Sequence, residues 1–306
     1  MLRLTFLGTS AARPTVERSV SSIVIAREGE TLMFDCGEGT QRQMMRYGVS
    51  FALSEIFFTH FHADHYLGLV GLLRTLALEG RTDPVRLYGP AGAKRFLGSL
   101  LDVEVERLTF PVEVRELCGG DTLRKKQYDL EAIQVEHGPD ALGYVLREHE
   151  RLGRFNPERA YKLGIPKGPL WGTLHRGQPV DLPDGRVVGP GDLVGPSRPG
   201  RLVVLSGDTR PCERVVTAAE GADLLVHDGT FGEEEKDRAK QTGHSTALEA
   251  AQVAVAARVK RLVLTHLSAR YSKDSKTLLD EARSIFPETV VAADGMETDV
   301  PYAEPE

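Results

Sequence analysis

The stretch that most constrains this chain is FFTHFHADH at positions 57–65, where an apolar strand runs directly into three histidines and a carboxylate. Side chains of an extended strand alternate between two faces, so His60 and His62 project to the same side. The turn that follows can bring Asp64 and His65 beside them. Four side chains of ligand type at the end of one strand predict a metal site, and their spacing suits two adjacent ions better than one.

The bulk composition bounds the class of protein. The chain has 306 residues, of which 41% are hydrophobic and 27% charged, as in ordinary globular proteins of one or two domains. No apolar run approaches the roughly 20 residues that span a membrane, and the first residues lack the apolar core of a signal peptide. The cysteines Cys36, Cys118 and Cys212 are widely spaced and form no CxxC pair. We therefore expect a reduced, cytoplasmic protein that does not associate with a membrane.

Polar residues also follow other apolar runs of the sequence. His137 follows the predicted strand 124–136. Later predicted strands lead into Asp208, Asp228 and His266. Strands alternate with helices along the chain, which predicts a layered α/β fold. Open α/β sheets place ligands at the carboxyl ends of their strands, and the two halves share this design, so we predict a pseudo-duplicated sandwich with the site along one edge.

These strand-end residues complete a ligand set for two ions. In the predicted arrangement His60, His62 and His137 hold one ion, Asp64, His65 and His266 hold the other, and Asp208 bridges them. Neutral imidazoles with a few carboxylates are the ligand chemistry of zinc, with manganese or iron as alternatives. Two such ions can share a hydroxide and stabilise the charge that grows on a phosphoryl oxygen. The predicted chemistry is hydrolysis without a covalent intermediate, because no serine or cysteine stands in a nucleophile motif.

Two further residues each have two interpretations. Asp35, at the end of a predicted strand, either caps the local turn or orients the metal loop, and we favour the second because Asp64 follows a neighbouring strand in the same way. His244 stands just before a predicted helix whose Thr246 and Glu249 are spaced as a capping box. It is either an exposed linker histidine or a functional group beside a helix start that attracts anions.

The middle of the chain changes character. Residues 151–177 are rich in glycine and proline and carry six cations against Glu158 alone, a local charge of +5 that leaves −11 for the rest. Phe155, Tyr161 and Trp171 are interleaved with those cations. Such a segment is either a solvated loop or a surface for a polyanion with stackable bases. Against an acidic background we favour nucleic-acid contact.

Together these residues resemble the metallo-β-lactamase superfamily, and within it the ribonuclease Z family of endonucleases, which trim the 3′ trailer from tRNA precursors. The histidine motif alone indicates only the superfamily, whereas the later motifs and the inserted segment are more specific to the family. Besides the histidine motif, the resemblance is carried by FDCGEGT at 34–40, SGDT at 206–209, HDGTF at 227–231, GHST at 243–246 and HLSARY at 266–271.

The resemblance implies a four-layer αβ/βα metallo-β-lactamase sandwich of the α/β class, as one domain over residues 1–306 with an inserted flexible arm at about 150–180. It also implies two Zn²⁺ ions per subunit, with Mn²⁺ or Fe²⁺ allowed by the ligand types. The implied activity is endonucleolytic removal of the tRNA 3′ trailer by a metal-bound hydroxide, which leaves a 3′-hydroxyl on the tRNA and a 5′-phosphate on the trailer. The implied assembly is a homodimer in which the arm of one subunit grips precursor tRNA for the other's active site.

The resemblance also assigns roles. It makes Asp64 a proton acceptor as well as a ligand, and it gives His244 the task of assisting departure of the 3′ oxygen. Asp228 would orient His244, at a position where the family often has the longer Glu. Gly168 and Pro169 match the Gly-Pro element of the family's arm. The other predicted tRNA contacts are Arg18, Arg270, Lys162 and Lys167.

The loop near the start departs from the family. The family usually has Pro-x-Lys-x-Arg-Asn there, and this chain matches only at Pro14 and Arg18. That loop bears on the tRNA 3′ end, so the resemblance does not fix the cut relative to a CCA sequence.

Two rival functions use the same residues. One is a hydrolase of small phosphodiesters or thioesters on the same fold, which would not need the arm. The other is a non-catalytic RNA-binding relative, which we disfavour because all seven ligand positions are filled.

Overall fold

The computed structural model describes residues 1–103 and 107–303. The strands are β1 Leu2–Gly8, β2 Ser22–Arg27, β3 Glu30–Phe34, β4 Glu55–Phe57, β5 Val85–Gly89, β6 Val112–Glu116, β7 Thr122–Arg124, β8 Tyr128–Gln134, β9 Leu142–Glu148, β10 Val180–Asp181, β11 Val187–Val188, β12 Leu202–Leu205, β13 Leu224–Asp228, β14 Leu262–Thr265, β15 Thr289–Val291 and β16 Glu297–Asp299. The helices are α1 Thr40–Tyr47, α2 Ala63–Tyr66, α3 Leu69–Leu78, α4 Ala93–Leu101, α5 Pro157–Lys162, α6 Pro169–His175, α7 Glu213–Ala218, α8 Lys236–Thr242, α9 Ala247–Ala256 and α10 Lys276–Arg283.

The strands form two seven-stranded sheets. Their orders are β16-β1-β2-β3-β4-β5-β6 and β15-β14-β13-β12-β9-β8-β7. Strands β3 to β6 pair in parallel in the first sheet, and β12 to β15 do so in the second. Parallel strands deliver their carboxyl ends to one edge of a sheet. Each sheet therefore gathers the loops that follow several strands, as the sequence predicts.

Alternation along the strands builds the four layers. Val203 and Leu205 of β12 belong to the apolar cluster between the two sheets, whereas Leu202 and Val204 face the cluster under α7, α9 and α10. In the first sheet, Met33 of β3 belongs to a third cluster with α1, α3 and α4. Central strands such as β12 thus bury both faces, one against the other sheet and one against helices. This is the predicted αβ/βα sandwich.

One predicted helix is interrupted. The sequence predicts a continuous helix from Tyr66 to Ala77, but the structure has α2 and α3 with a break at Gly68. A Cβ added at Gly68 would lie 1.9 Å from the carbonyl oxygen of Gly37, and the Gly68 amide donates to the carbonyl of Cys36 at 2.9 Å. The backbones of Gly68 and Gly37 approach too closely for any residue larger than glycine at position 68. The helical spacing of apolar residues does not predict this contact.

A second prediction that changes is the strand 124–136. In the structure β7 ends at Arg124 and β8 begins at Tyr128, and the two pair antiparallel as a hairpin. β8 is followed by β9, its neighbour in the sheet, and His137 lies in the connection between them. The predicted position of His137 beyond the end of a strand is therefore correct, although that strand is shorter.

The inserted segment forms a compact unit of its own, which comprises residues 148–201 and Tyr302 at the end of the described chain. It contains α5, α6 and the hairpin β10–β11. It has a separate apolar cluster that includes Ile165, Leu174 and Val180, with Trp171 packed against it. The arm predicted at about 150–180 is thus the first part of a longer folded unit, and its predicted flexibility stays a prediction.

Within this unit the ring of Tyr302 stacks with two guanidinium groups. Arg151 lies 3.2 Å and Arg201 lies 3.8 Å from the centre of the ring. Arg201 also donates to the buried carboxylate of Glu148 at 2.7 Å. Cation–π contacts and this ion pair therefore join the two ends of the inserted segment to Tyr302. In the part of the chain that the structure describes, every helix is too short or too polar to cross a membrane.

Candidate active site

Three histidine nitrogens converge at the end of β4. Nε2 of His60 lies 2.9 Å from Nδ1 of His62, and Nε2 of His137 lies 3.2 Å from that same Nδ1. A neutral imidazole offers one donor and one acceptor nitrogen, so a hydrogen cannot satisfy three nitrogens that face one another. A cation between them would satisfy all three. These are the three residues that the sequence assigns to one ion.

A second group lies beside the first. Oδ2 of Asp64 is 3.3 Å from Nε2 of His266 and 3.5 Å from Nε2 of His65. Within the described residues Nε2 of His65 is a buried nitrogen without a well-formed hydrogen bond. Leaving such an atom unpaired costs about 1–3 kcal/mol, which a bound cation would offset. The structure thus brings together the three residues assigned to the other ion.

Asp208 lies between the two groups. Its Oδ2 atom is 3.2 Å from Nε2 of His266 and 3.3 Å from Nε2 of His65. The same oxygen is 3.6 Å from Nε2 of His60 and 3.8 Å from Nε2 of His137. One carboxylate oxygen therefore faces four imidazoles from both groups, as a bridging ligand must. The assignment of all seven residues as ligands stays a prediction.

Partners on the far side of the rings explain their orientation. Nδ1 of His137 donates to the carbonyl of Gly243 at 2.8 Å, and Thr230 Oγ1 lies 3.0 Å from Nδ1 of His266. Oδ2 of Asp35 accepts from Nδ1 of His65 at 2.8 Å, and Oδ1 of Asp35 accepts from the amide of Thr59 at 2.8 Å. Such contacts fix the tautomer and aim Nε2 inward. Asp35 thus orients a histidine, which is the interpretation favoured from the sequence.

Two of these residues have unusual backbones. Asp35 has φ 58° and His266 has φ 59°, in the left-handed region that non-glycine residues rarely adopt. Strain of this kind costs on the order of 1–3 kcal/mol and persists where the surroundings determine the conformation. In both cases the residue follows directly after a parallel strand, so the chain turns sharply and returns the side chain to the site.

The buried charges balance one another. Burial opposes ionisation of Asp208, but His266 and His65 hold the pKa of that carboxyl well below its usual range. Burial likewise opposes a charge on His65, but Asp208 and Asp35 hold its pKa well above the usual value. Burial holds the pKa of His60 well below the usual value. A cation competes with the proton of His65 for Nε2, so binding would release that proton.

The donor set therefore fits two divalent cations. It consists of five imidazoles and two carboxylates, nearly all buried, with the ring nitrogens aimed at two points that share one carboxylate oxygen. These ligand types suit zinc, and also manganese or iron.

His244 and Asp228 form a pair beside both groups. Nδ1 of His244 lies 2.8 Å from Oδ2 of Asp228, and the ring of His244 stacks on that of His266 with 5.0 Å between centroids. Burial lowers the pKa of His244, but the Asp228 carboxylate outweighs it and raises the pKa to about 9. His244 is thus no exposed linker residue, because it faces the site and pairs with a buried carboxylate.

Asp228 is fully buried and makes further hydrogen bonds. Its Oδ1 atom accepts from the amide and the hydroxyl of Thr230 at 2.9 and 2.6 Å, and its Oδ2 atom accepts from the amide of Thr209 at 3.1 Å. These bonds, with that from His244, occupy both oxygens. Asp228 and His244 lie near Asp208 and His266, and the proton-transfer roles expected of this pair stay predictions. The shorter side chain of Asp reaches Nδ1 of His244 at hydrogen-bonding distance, 2.8 Å.

Arg18 is almost entirely buried. The sequence predicts that it contacts tRNA, but only 8% of it is exposed. Its guanidinium donates to Thr9 Oγ1 at 2.7 Å and to the carbonyl of Ala292 at 2.6 Å. Asp294 accepts from Thr9 on the other side at 2.7 Å. Arg18 therefore anchors the loop internally, because its guanidinium is engaged both by nearby Thr9 and by Ala292, which is distant in sequence.

Arg270, in contrast, is exposed and lines an open cavity of about 420 Å³. The same cavity is lined by His244, Phe231 and two arginines that sequence reasoning missed, Arg13 and Arg238. Arg270 pairs with Glu235, and Arg238 lies 5.6 Å from the centre of the Phe231 ring. The missed arginines stand in unrelated parts of the sequence, and only folding places them together. Cations around an aromatic ring suit a nucleotide.

The predicted arm contacts lie in the inserted unit. Lys162 ends α5, and Gly168 precedes Pro169, the first residue of α6. Lys162, Lys167, Gly168 and Pro169 are all exposed. Their contact with RNA stays a prediction.

Comparison with known proteins identifies the family. A model described as "Anti-Pycsar protein Apyc1" matches residues 2–150, and a "Beta-lactamase superfamily domain" matches residues 191–267. A ribonuclease Z of Gemmatimonas aurantiaca is 57% identical over 305 residues, which cover 99% of this chain and 97% of the relative. One of Myxococcus xanthus is 53% identical, with 98% of each chain covered. The chain belongs to the ribonuclease Z family.

Solved structures agree with this family assignment. The short form of human tRNase Z superposes with a TM-score of 0.72 at 29% identity, covering 98% of this chain and 99% of that one. A diphosphatase of the PhnP family superposes with a TM-score of 0.65 at 17% identity, covering 99% of both chains, which shows a shared fold alone. The predicted family and the predicted four-layer fold are both confirmed.

Proposed function

We propose that this member of the ribonuclease Z family is a tRNA 3′ endonuclease, which hydrolyses one phosphodiester of a tRNA precursor. In this reaction the tRNA keeps a 3′-hydroxyl and the released trailer carries a 5′-phosphate. Family membership supports the substrate. The observation that carries the chemistry is the convergence of four imidazoles on Oδ2 of Asp208, with the His244–Asp228 pair beside them.

Two divalent cations, which we propose to be zinc, complete the site. The first would be held by His60, His62 and His137, the second by Asp64, His65 and His266, and Asp208 would contribute to both. When bound, such ions supply Lewis acidity that activates water and offsets the charge of the phosphate.

Asp64 is the proposed proton acceptor. Its Oδ2 atom accepts from the amide of Ala12 at 2.7 Å, which fixes the carboxylate at the edge of the site. Burial opposes its ionisation, but His266 and His65 lower the pKa of Asp64 below its usual value. The carboxylate is therefore ionised at neutral pH and can take a proton as water attacks phosphorus.

His244 is the proposed proton donor. Its Nδ1 atom is engaged by Asp228, so the proton that it can give away is on Nε2. As the new bond between water and phosphorus forms, the bond from phosphorus to the 3′ oxygen breaks, and His244 protonates that oxygen. The proton lost by water goes to Asp64, so the step balances without another reactant. General-acid assistance of this kind is worth about 10²–10⁴-fold in rate.

Binding of the RNA is proposed for two exposed surfaces. One is the cavity lined by Arg13, Arg238 and Arg270. The other is the inserted unit, through Lys162, Lys167 and the Gly168-Pro169 element. Exposed cations supply most of the affinity for a polyanion. We also propose that the protein is a cytoplasmic homodimer in which the inserted unit of one subunit holds tRNA for the other.

The test is cleavage of two precursor tRNAs, one with an encoded CCA and one without, followed by mapping of the cut and of both ends. We expect one cut at the 3′ end of the tRNA and the end groups given above. Bound metal is measured in the same preparation, and the oligomeric state by light scattering. Intact precursors, together with turnover of a small nitrophenyl phosphodiester, would instead assign the site to small phosphodiesters.

A further inference from the structure

Arg210 makes an unusual set of contacts close to the proton donor. It lies two residues after Asp208, and its side chain is only partly exposed. Nη1 donates to the carbonyl oxygen of His244 at 2.6 Å. The same guanidinium forms a two-pronged ion pair with Glu249, through bonds of 2.6 and 2.5 Å. Arg210 therefore joins the backbone of His244 to a carboxylate on the helix that follows.

Glu249 is itself held in place. It is the third residue of α9, and its carboxylate accepts from the amide of Thr246 at 3.0 Å, while Thr246 Oγ1 accepts from the amide of Glu249 at 3.1 Å. This is the capping box that the sequence predicts. A capping glutamate needs only the amide of the residue that caps the helix. Here the same carboxylate also fixes a planar guanidinium, and paired bonds of this type set direction as well as energy.

The backbone at this point makes two further links. The amide of Arg210 donates to the carbonyl of Glu136, the residue before His137, at 3.0 Å. Ser245, the residue after His244, donates through its hydroxyl to the carbonyl of Thr209 at 2.6 Å. The dipeptide 209–210 thus connects three loops of the site, those that carry His137, Asp208 and His244.

His244 is consequently fixed from three sides. Its amide donates to the carbonyl of Ala239 at 2.8 Å, its carbonyl accepts from Arg210, and its Nδ1 atom contacts Asp228. Loss of the bond from Arg210 would leave the turn at 243–245 free to shift, and Nε2 would move with it. A displacement of about 1 Å at a reacting group can cost about a hundredfold in rate.

We propose that Arg210 is a positioning residue for His244, with Glu249 as its anchor. The inference rests on the proposed function, because it gives His244 the task of protonating the departing 3′ oxygen. Arg210 itself transfers no proton. Its effect is therefore confined to substrates whose leaving group needs a proton.

The experiment compares two substrates of the full-length, metal-loaded enzyme. Cleavage of precursor tRNA releases a ribose 3′ oxygen, which needs a proton as it leaves. Bis(p-nitrophenyl) phosphate releases p-nitrophenolate, a stable anion that needs no proton. The test variants are R210M and, as a conservative form, R210K. The control is R3M, which removes an arginine with a comparable two-pronged ion pair, to Asp299, on the surface.

For R210M we expect kcat on precursor tRNA to fall about tenfold to a hundredfold with KM within about twofold. Hydrolysis of the nitrophenyl ester and the bound metal should stay within about twofold of the parent. R210K keeps the positive charge but not the planar guanidinium that makes paired bonds to Glu249, so it should recover only part of the lost kcat. Combining R210M with H244A should add little to H244A alone, since both act through one proton.

E249Q provides a milder second variant. It keeps an oxygen for the amide of Thr246 and weakens only the ion pair, so we expect a loss of about threefold to tenfold on tRNA alone. Equal losses on both substrates, or independent effects of R210M and H244A, would overturn the inference. If R210M does not fold, E249Q and R210K decide the question by the same comparison. Failure of the parent enzyme to cut tRNA would instead refute the proposed function.

Discussion

The charged side chains of the catalytic centre are buried, whereas the lysines of the inserted unit are exposed and its buried ion pair joins Glu148 to Arg201. At the centre His65, Asp208 and Asp228 are at most 3% exposed, and hydrogen bonds or ion pairs surround them. In the inserted unit Lys162 and Lys167 lie in solvent, over a small apolar cluster. Buried charges are held in one orientation and act strongly on the groups they contact, because the dielectric constant around them is low. Exposed charges are screened by water and salt, and they attract a polyanion through their combined charge.

This difference predicts two kinds of mutational effect. A change at the centre should lower kcat, because it removes groups that act on the reacting bond. A change in the inserted unit should alter KM and its salt dependence, because it removes counter-charges for phosphates. A variant of the centre that changed only KM, or a variant of the inserted unit that changed only kcat, would contradict this comparison.

The largest effect is expected for D208A. Its Oδ2 atom faces imidazoles of both groups, so its loss should empty both metal positions and lower kcat by about a thousandfold or more, given the several kcal/mol that metal ions contribute. Metal content by atomic spectroscopy and single-turnover cleavage measure this. D237A, at an exposed acidic residue of α8, should match the parent. Full metal content in D208A would contradict its bridging position.

H244A should have the next largest effect. We expect kcat on precursor tRNA to fall about a hundredfold or more, with metal content unchanged, because only the proton donor is lost. Turnover of bis(p-nitrophenyl) phosphate should stay within about threefold, since its leaving group needs no proton. A parallel loss on both substrates would place His244 among the metal-binding residues instead.

D228N tests the charge of the pair in the chelated, metal-free protein. Asp228 raises the pKa of His244 to about 9 from an ordinary value near 6.5, so the pair stabilises the folded state fully below about pH 6.5. That contribution is lost as pH rises through about 9. In urea unfolding, the free energy of unfolding of D228N should therefore be lower than that of the parent by on the order of 2 kcal/mol at pH 6, and this difference should shrink by pH 10. A gap independent of pH would contradict the ion pair.

The smallest effect is expected for the double variant K162A/K167A in the inserted unit. KM for precursor tRNA should rise about tenfold with kcat unchanged, and the slope of log affinity against log salt should shrink by about two. K260A/K276A removes two exposed lysines outside the inserted unit and serves as the control. A fall in kcat with unchanged KM would show that the inserted unit takes part in the chemistry.

The sequence predicted the seven candidate ligands that the structure brings together. The rule that polar residues at the carboxyl ends of parallel strands meet at one edge is local and topological, so it applied to Asp208 and His266 before any contact was known. His137 follows β8, which pairs antiparallel with β7, so this rule does not cover it. The capping box at Thr246 and Glu249 was equally readable, since it depends on a spacing of three residues.

Only the tertiary structure decided which cations are exposed. Arg18 and Arg270 are the same residue type, so the sequence does not tell them apart. In the structure Arg18 is buried beneath strand ends, whereas Arg270 lines the cavity beside His244. Arg210, which holds His244, carries no motif signal of its own. Likewise the apolar cluster of the inserted unit forms from residues without helical or strand periodicity. Burial depends on which distant segments pack together, and neither periodicity nor spacing along one chain encodes that.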